Sequence, residues 1–346
     1  MINNKAITLI RKLMHQILIC FGLIFTVVII AILLLQLNLH SSVPKPPEII
    51  LNAIAAKYDI SLLENTSENE IIKFGYKLFT NTSIHIGPNN EDSSRIYAGN
   101  KLECNNCHLQ AGTKLYAAPL IGIVNRFPQF RGRENKIGTI EERINGCFER
   151  SMNGKALPIN SIEMKAFVAY FEWLSRHAPE NGKVEGQGFI KIEIPNRKVD
   201  LYKGEQIYTT ICIKCHGNTG KGQMNLDLLT YKYPPLWGDD SYNNGAGMNR
   251  VITSAQFIKA NMPFGTTYEA PLLTDEEAYD VAGYINQQQR PLKAKRELDF
   301  PDLKNKPVST PYPPFLDSFP IQQHQLGPFQ PIMEFYKREY NIIKTK

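Results

Sequence analysis

Two pentapeptides constrain this chain more than any other feature: Cys104-Asn105-Asn106-Cys107-His108 and Cys212-Ile213-Lys214-Cys215-His216. Cys-x-x-Cys-His is the attachment pattern of c-type haem. Its two thiols form thioethers to the porphyrin vinyl groups, and the adjoining imidazole takes the proximal side of the iron. A single copy is compatible with chance or with a zinc half-site. Two copies behind an export-type N-terminus predict two covalently bound haem c groups and electron-transfer chemistry.

The remaining cysteines are few. Of six in the chain, four lie in the motifs, Cys20 lies in an apolar N-terminal run, and only Cys147 is left. No pair remains for a structural disulfide. The 39 Lys and Arg against 33 Asp and Glu give a mild, dispersed positive charge. This argues against nucleic acid and suits a small anionic substrate or an acidic partner.

Lys5, Arg11 and Lys12 precede residues 13–43, which contain no Asp, Glu, Lys or Arg. A helix crossing a bilayer needs about 20 apolar residues, and the basic flank predicts a cytoplasmic N-terminus. The run is longer than the apolar core of a signal peptide and lacks an Ala-x-Ala ending. We therefore expect an inner-membrane anchor with periplasmic haem domains. Cleavage after Ser41 or Ser42, giving a soluble periplasmic form, is the rival.

Each motif sits in a similar frame. Ser67 and Glu70 suggest a capping box opening the helix that carries Gly75 and Phe79; Asp200 caps the helix that carries Gly204 and Tyr208. A Gly-aromatic pair four residues apart occupies one helical face, and the Gly admits a close neighbour. After the motifs come Pro119-Leu120 and Pro235-Leu236. Each unit then closes with an amphipathic helix, residues 162–174 and 276–287, the second entered through Thr274-Asp275-Glu276-Glu277. This order predicts a mainly α fold, two class I cytochrome c domains in tandem behind an N-terminal transmembrane helix. The expected boundaries are 1–43 for the anchor, 44–178 for the first domain, 179–197 for a linker, 198–290 for the second domain and 291–346 for a Pro-rich tail. The first domain carries an insertion, residues 80–103, suited to shaping a pocket. The tail is expected to wrap over the domains or to be partly mobile, with a short helix over 333–343.

The second axial position of each iron is assigned by comparing the copies. Met262, before Pro263, suits the second haem, with Met248 and Met224 as rivals. In the first domain the matching position holds Cys147, with His85 as a rival. Arg126, Arg131, Arg133, Arg143 and Arg150 crowd around Cys147. Guanidinium groups favour bidentate oxyanion partners, and nearby positive charge favours the thiolate. Pairing with Glu134, Glu141, Glu142 and Glu149 on a solvated face is the plainer reading, expected for Arg150. Ser151 shares the Cys147 face or serves as a cap, and His177 and His324 are expected to be surface or structural.

The segment Arg143-Ile144-Asn145-Gly146-Cys147-Phe148-Glu149-Arg150-Ser151-Met152-Asn153-Gly154 resembles the dihaem thiosulfate dehydrogenases, some of which act as tetrathionate reductases. Pro128-Gln129-Phe130-Arg131-Gly132-Arg133, Pro234-Pro235-Leu236-Trp237-Gly238, Gly245-Ala246-Gly247-Met248 and Ala260-Asn261-Met262-Pro263 support the resemblance. It implies His108 and Cys147 as axial ligands of an active-site haem, and His216 and Met262 as those of an electron-transfer haem. Haem attachment falls to Cys104, Cys107, Cys212 and Cys215. Arg133 and Arg143 are implied as substrate-binding, with Ser151 beside them. Some relatives place Lys immediately before the Met; Asn261 stands here, so no Lys/Met ligand exchange is expected. The implied reaction joins two thiosulfates into tetrathionate and passes two electrons to a carrier such as a cytochrome c. The alternatives are a membrane-anchored electron shuttle, a dihaem peroxidase, and a sulfur-carrier cytochrome needing a partner protein.

Overall fold

The computed structural model describes residues 4–39 and 57–346. Ser41 and Ser42, the alternative cleavage points, lie outside the described residues. Helix α1 (Asn4–Leu39) forms a unit of its own. Its stretch Arg11–Leu33 has a mean hydropathy of 2.9 and exposed side chains. At 1.5 Å per residue these 23 residues span about 35 Å, enough for a hydrocarbon core of about 30 Å. That length and composition suit an anchor and a signal sequence alike.

The described residues from 57 onward form one compact unit built on two hydrophobic cores. The first is organised by α2 (Ser67–Thr80), α3 (Ile140–Phe148) and α4 (Ile162–Ser175). The second is organised by α5 (Leu201–Ile207), α6 (Val251–Asn261) and α7 (Asp275–Asn286). In each, the helix before the haem motif crosses the closing helix at a glycine. A Cβ on Gly75 would stand 2.0 Å from the Ala166 carbonyl oxygen, and one on Gly204 would stand 2.3 Å from that of Asp280. The aromatic one turn later, Phe79 or Tyr208, is fully buried.

The caps follow the sequence with one exception. Asp200 accepts from the Lys203 N–H, and Thr274 and Glu277 make a reciprocal capping box. At α2 the N-cap is Thr66, one residue before the expected Ser67, and its hydroxyl accepts from the Asn69 N–H. Two neighbouring hydroxyl residues compete for one role there, and Thr66 has the extended backbone a cap requires.

The C-terminal segment is ordered and structural. Phe329, Ile332 and Tyr336 join the second core, and the Phe300 N–H donates to the Arg133 carbonyl at 2.8 Å. Its helices are α8 (Ile321–Leu326) and α9 (Gln330–Tyr340). The last helix begins three residues before the expected start, because Pro331 is compatible with a first helical turn. It ends at Asn341, whose left-handed backbone (φ 54°) closes the helix. Two hairpins complete the fold, β1 (Gln129–Arg131) with β2 (Lys136–Gly138), and β3 (Gln223–Met224) with β4 (Tyr231–Tyr233).

The two cores are tied together by polar contacts. The Asn100 side-chain amide donates to the carbonyls of Ser151 and Ser241, both at 3.0 Å. The Lys101 N–H donates to Asp240 at 2.9 Å. The Asn243 amide donates to the Glu149 carbonyl and to Asn153. The insertion of the first copy thus brings the second copy against the turn that follows Cys147.

Candidate active site

Both motif histidines are oriented by the same device. The Nδ1–H of His108 donates to the Ala118 carbonyl at 2.7 Å, and that of His216 to the Pro234 carbonyl at 2.8 Å. Each acceptor immediately precedes a Pro-Leu element, so that repeated dipeptide fixes the carbonyl that fixes the imidazole. With Nδ1 engaged, Nε2 is left to bind iron.

Cys104, Cys107 and His108 line a largely apolar cavity with Phe79, Leu120, Ile144, Phe148, Phe167 and Phe171. Cys147 and Arg143 line it too. Two thiols, a proximal imidazole with Nδ1 engaged and an apolar wall fit a haem c, and the Cys147 sulfur in the same cavity offers one further donor. The second motif offers a matching set: Cys212, buried His216, and Met262 at the C-cap of α6, with Leu236 and Trp237 packed against the same core.

The sulfurs of the first cavity are not equivalent. Burial pushes the free thiols of Cys104 and Cys107 up to about 12. Burial also acts on Cys147, but the Arg143 guanidinium and the His108 imidazole outweigh it and bring its pKa down to about 6. Arg143 lies one helical turn before Cys147 on α3, and its Nη1 is 2.8 Å from the sulfur. Thr139 caps this helix reciprocally with Glu142, which fixes its start and hence the Arg143–Cys147 register.

A second, polar cavity lies beyond Cys147. Its wall contains Cys147, Arg143, Ser151, Arg133, Arg150 and Arg250. Cys107, His108, Ala118, Arg143, Cys147, Ser151 and Met248 line both cavities, so Cys147 stands in the partition between an apolar chamber and an arginine-lined one. Gly146 makes room for this crowding: a Cβ there would meet guanidinium nitrogens of Arg131 and Arg150 at 3.4 Å.

The arginines divide by partner. Arg131 pairs with Glu134 at 2.9 Å. Arg133 Nη1 donates to Asp299 at 2.6 Å and to the Gly245 carbonyl at 3.1 Å, and its guanidinium lies over the Phe300 ring. Arg150, expected to pair with neighbouring glutamates on a solvated face, does lie 3.6 Å from Glu149 and 3.9 Å from Glu134, but it is buried and also donates to Asp299 and to the Gly146 carbonyl. The tail supplies the carboxylate that draws it inward. Among the described residues, Arg126, Arg143 and Arg250 have no carboxylate at ion-pair distance.

Two rival ligands lie elsewhere, and His324 is structural as expected. Met248, a rival ligand for the second haem, packs against the first core and lines the first chamber. His85 sits in the short helix Thr82–Ile86 and lines neither cavity. His324 has both ring nitrogens engaged, by the Val308 carbonyl and Asp317. Asp299, Arg250 and Thr253 were not singled out from the sequence. Arg250 follows the Gly245-Ala246-Gly247-Met248 segment closely enough to have been noticed, whereas nothing local marks Asp299.

Both domains match known cytochrome families. Residues 96–179 match the family described as SoxA/TsdA, cytochrome c domain, and residues 201–289 match cytochrome c. The chain is 41% identical over 244 residues to a thiosulfate dehydrogenase of Psychrobacter arcticus, covering 70% of this chain and 71% of that one. The chain belongs to the thiosulfate dehydrogenase family. It is also 38% identical over 263 residues to the Allochromatium vinosum thiosulfate dehydrogenase, covering 75% of this chain and 91% of the relative. The solved thiosulfate dehydrogenase TsdBA of Marichromatium purpuratum, in its as-isolated form, superposes with a TM-score of 0.61 at 33% identity. That match covers 68% of this chain and 49% of the other. As a family member with two cytochrome c domains, the chain is an oxidoreductase carrying two covalently bound haem c groups.

Proposed function

We propose that this chain oxidises two thiosulfates to tetrathionate, with the first domain (44–178) as the reacting centre and the second (198–290) as the electron relay. The observation that supports this most directly is the Cys147 sulfur, 2.8 Å from Arg143 Nη1 in the partition between the two chambers. A thiosulfate in the polar chamber has guanidinium donors for its sulfonate and a thiolate for its outer sulfur.

The reaction divides into two balanced steps. In the first, the Cys147 thiolate and one thiosulfate dianion form a sulfur–sulfur bond, giving a cysteine S-thiosulfonate monoanion and releasing two electrons. In the second, the outer sulfur of another thiosulfate attacks the sulfur of the group held on Cys147. The bond to Cys147 breaks, tetrathionate leaves as a dianion, and the thiolate is restored. The haems, when bound, supply one-electron redox centres that accept these electrons one each. His108 and Cys147 are the residues that would hold the iron of the first, and His216 and Met262 that of the second. Arg143 holds Cys147 as the thiolate and faces the substrate. Arg133, fixed by Asp299, and Ser151 line the approach. Run backwards, the same steps reduce tetrathionate.

We place the haem domains in the periplasm, anchored to the inner membrane through α1, with a soluble one-electron carrier such as a cytochrome c as partner. The test uses the haem-loaded full chain with thiosulfate and a one-electron acceptor. Two acceptor electrons per tetrathionate are expected. A fully haem-loaded protein that leaves thiosulfate untouched would exclude the reading in favour of an electron shuttle.

A further inference from the structure

We propose that Arg250 and Thr253, at the N-terminal end of α6, form a second anion subsite that holds the sulfonate of the attacking thiosulfate. This deepens the two-step reading above and rests on it.

The second step brings a dianion toward an already anionic adduct, so it requires a positive site distinct from the one engaged by the first substrate. Arg143 and Arg133 are the cations assigned to the first thiosulfate, while Arg150 is held by Asp299 and Arg131 by Glu134. Arg250 lines the same polar chamber and has no carboxylate partner among the described residues. Its Nε donates to the Gly247 carbonyl at 3.3 Å, which leaves the terminal nitrogens of the fork for an oxyanion. A Cβ on Gly247 would come within 3.0 Å of Arg250 Nη2, so the glycine permits this folded-back side chain. Burial, together with the neighbouring charges of Arg133 and Arg143, lowers the Arg250 pKa to about 9. A bound anion relieves that repulsion.

An independent observation comes from Thr253. It is 3% exposed, lines the polar chamber, and its hydroxyl oxygen has no hydrogen-bond partner among the described residues. A buried hydroxyl left unpaired is costly and uncommon. It lies in the first turn of an 11-residue helix whose N-cap, Arg250, makes no side-chain cap. The first-turn N–H groups of such a helix favour an anion. Arg250 and Thr253 both line the chamber at this helix terminus, so the second domain offers a guanidinium and a hydroxyl to one tetrahedral oxyanion in a chamber whose thiolate belongs to the first.

The test compares wild type, Thr253→Val and Arg250→Gln as full-length, haem-loaded proteins. Adduct formation on Cys147 is read by intact mass after reaction with one equivalent of thiosulfate and acceptor. Tetrathionate release is then followed against added thiosulfate. Both variants are expected to form the adduct as wild type does, but to require about tenfold to a hundredfold more thiosulfate for half-maximal release. Thr253→Val is expected to melt no lower than wild type, since it removes an unpaired hydroxyl. Wild-type thiosulfate dependence in Thr253→Val, or equal loss of adduct and release in both variants, overturns the subsite. Wild-type protein that forms neither adduct nor tetrathionate overturns the reaction itself.

Discussion

The carboxylate of Asp299 lies 2.5 Å from the guanidinium of Arg150, joining the C-terminal segment to the turn immediately after Cys147. The same carboxylate takes Arg133 at 2.6 Å and the Tyr312 hydroxyl at 3.1 Å, with Lys293 at 3.7 Å. One buried anion thus faces three cations. Asp299→Asn removes the nearest counter-charge from all three and leaves Arg150 only Glu149 at 3.6 Å and Glu134 at 3.9 Å; breaking a buried pair typically costs about 3–5 kcal/mol. We expect a loss of that order in denaturant unfolding, together with weaker thiosulfate use as Arg133 loses its anchor. Unchanged stability would mean that the tail is not what positions the arginines.

The same group gives the fold an acid dependence of known sign. Burial alone would raise the Asp299 pKa, but its hydrogen bond to Arg150 and the charges of Arg133, Arg150 and Lys293 leave it below the ordinary value. A carboxyl with a depressed folded pKa contributes stability above its unfolded pKa of about 4, and that contribution disappears as pH falls through the folded value. Wild type is therefore expected to lose its stability advantage over Asp299→Asn below about pH 4, with the gap constant above it. Melting temperatures of the two proteins across this range provide the check.

The crossing glycines offer a test of the fold alone. A Cβ at Gly204 would overlap the Asp280 carbonyl oxygen at 2.3 Å and the Tyr284 side chain at 2.9 Å. Backbone atoms of a packed helix cannot swing aside as a flexible side chain can. Gly204→Ala should therefore destabilise by about 1–3 kcal/mol despite its better helix propensity. A more stable variant in thermal unfolding would show that α5 and α7 do not cross as closely as described.

Much of this architecture is legible locally. The haem motifs, the capping box at Thr274 and the Gly-aromatic pairs are short patterns whose physics acts within one or two helical turns. Cys147 is singled out by a different route: the two haem motifs sit in similar frames, and Cys147 follows the first where Met262 follows the second. What sequence spacing does not carry is pairing over long separations. Arg150 and Asp299 meet across 149 residues, and only the folded tail turns a seemingly solvated arginine into a buried one. Met248 likewise follows the second motif in sequence yet serves the first chamber, because residues 240–248 cross between the cores. The Thr66/Ser67 ambiguity has a local origin: two adjacent hydroxyls satisfy the same sequence rule.

Cys147→Gly removes the sulfur from the partition while leaving Cys104, Cys107 and His108 intact. Both haems should remain attached, and thiosulfate turnover should fall below detection, because neither balanced step has a sulfur acceptor. The spectrum of the first haem should change while that of the second does not. Retained turnover at the wild-type rate would rule out a covalent role for Cys147.

Met262→Ala addresses the electron relay. Helix α6 runs from Arg250 at its N-cap to Met262 at its C-cap, about 16 Å for 11 residues, so one rigid element joins the polar chamber to the assigned ligand of the second haem. Asn261, just before Met262, donates to the Tyr116 carbonyl at 3.1 Å, two residues from the Ala118 carbonyl that orients His108. The thioether of a Met/His pair raises a haem potential. Its removal should lower the potential of the second haem in a redox titration and slow turnover with the one-electron acceptor. Adduct formation on Cys147 under single-turnover conditions should slow in step, because the first step releases two electrons and the second haem is assigned one of them. An unchanged potential would move the sixth ligand away from Met262, with Met224 the remaining methionine weighed for that haem.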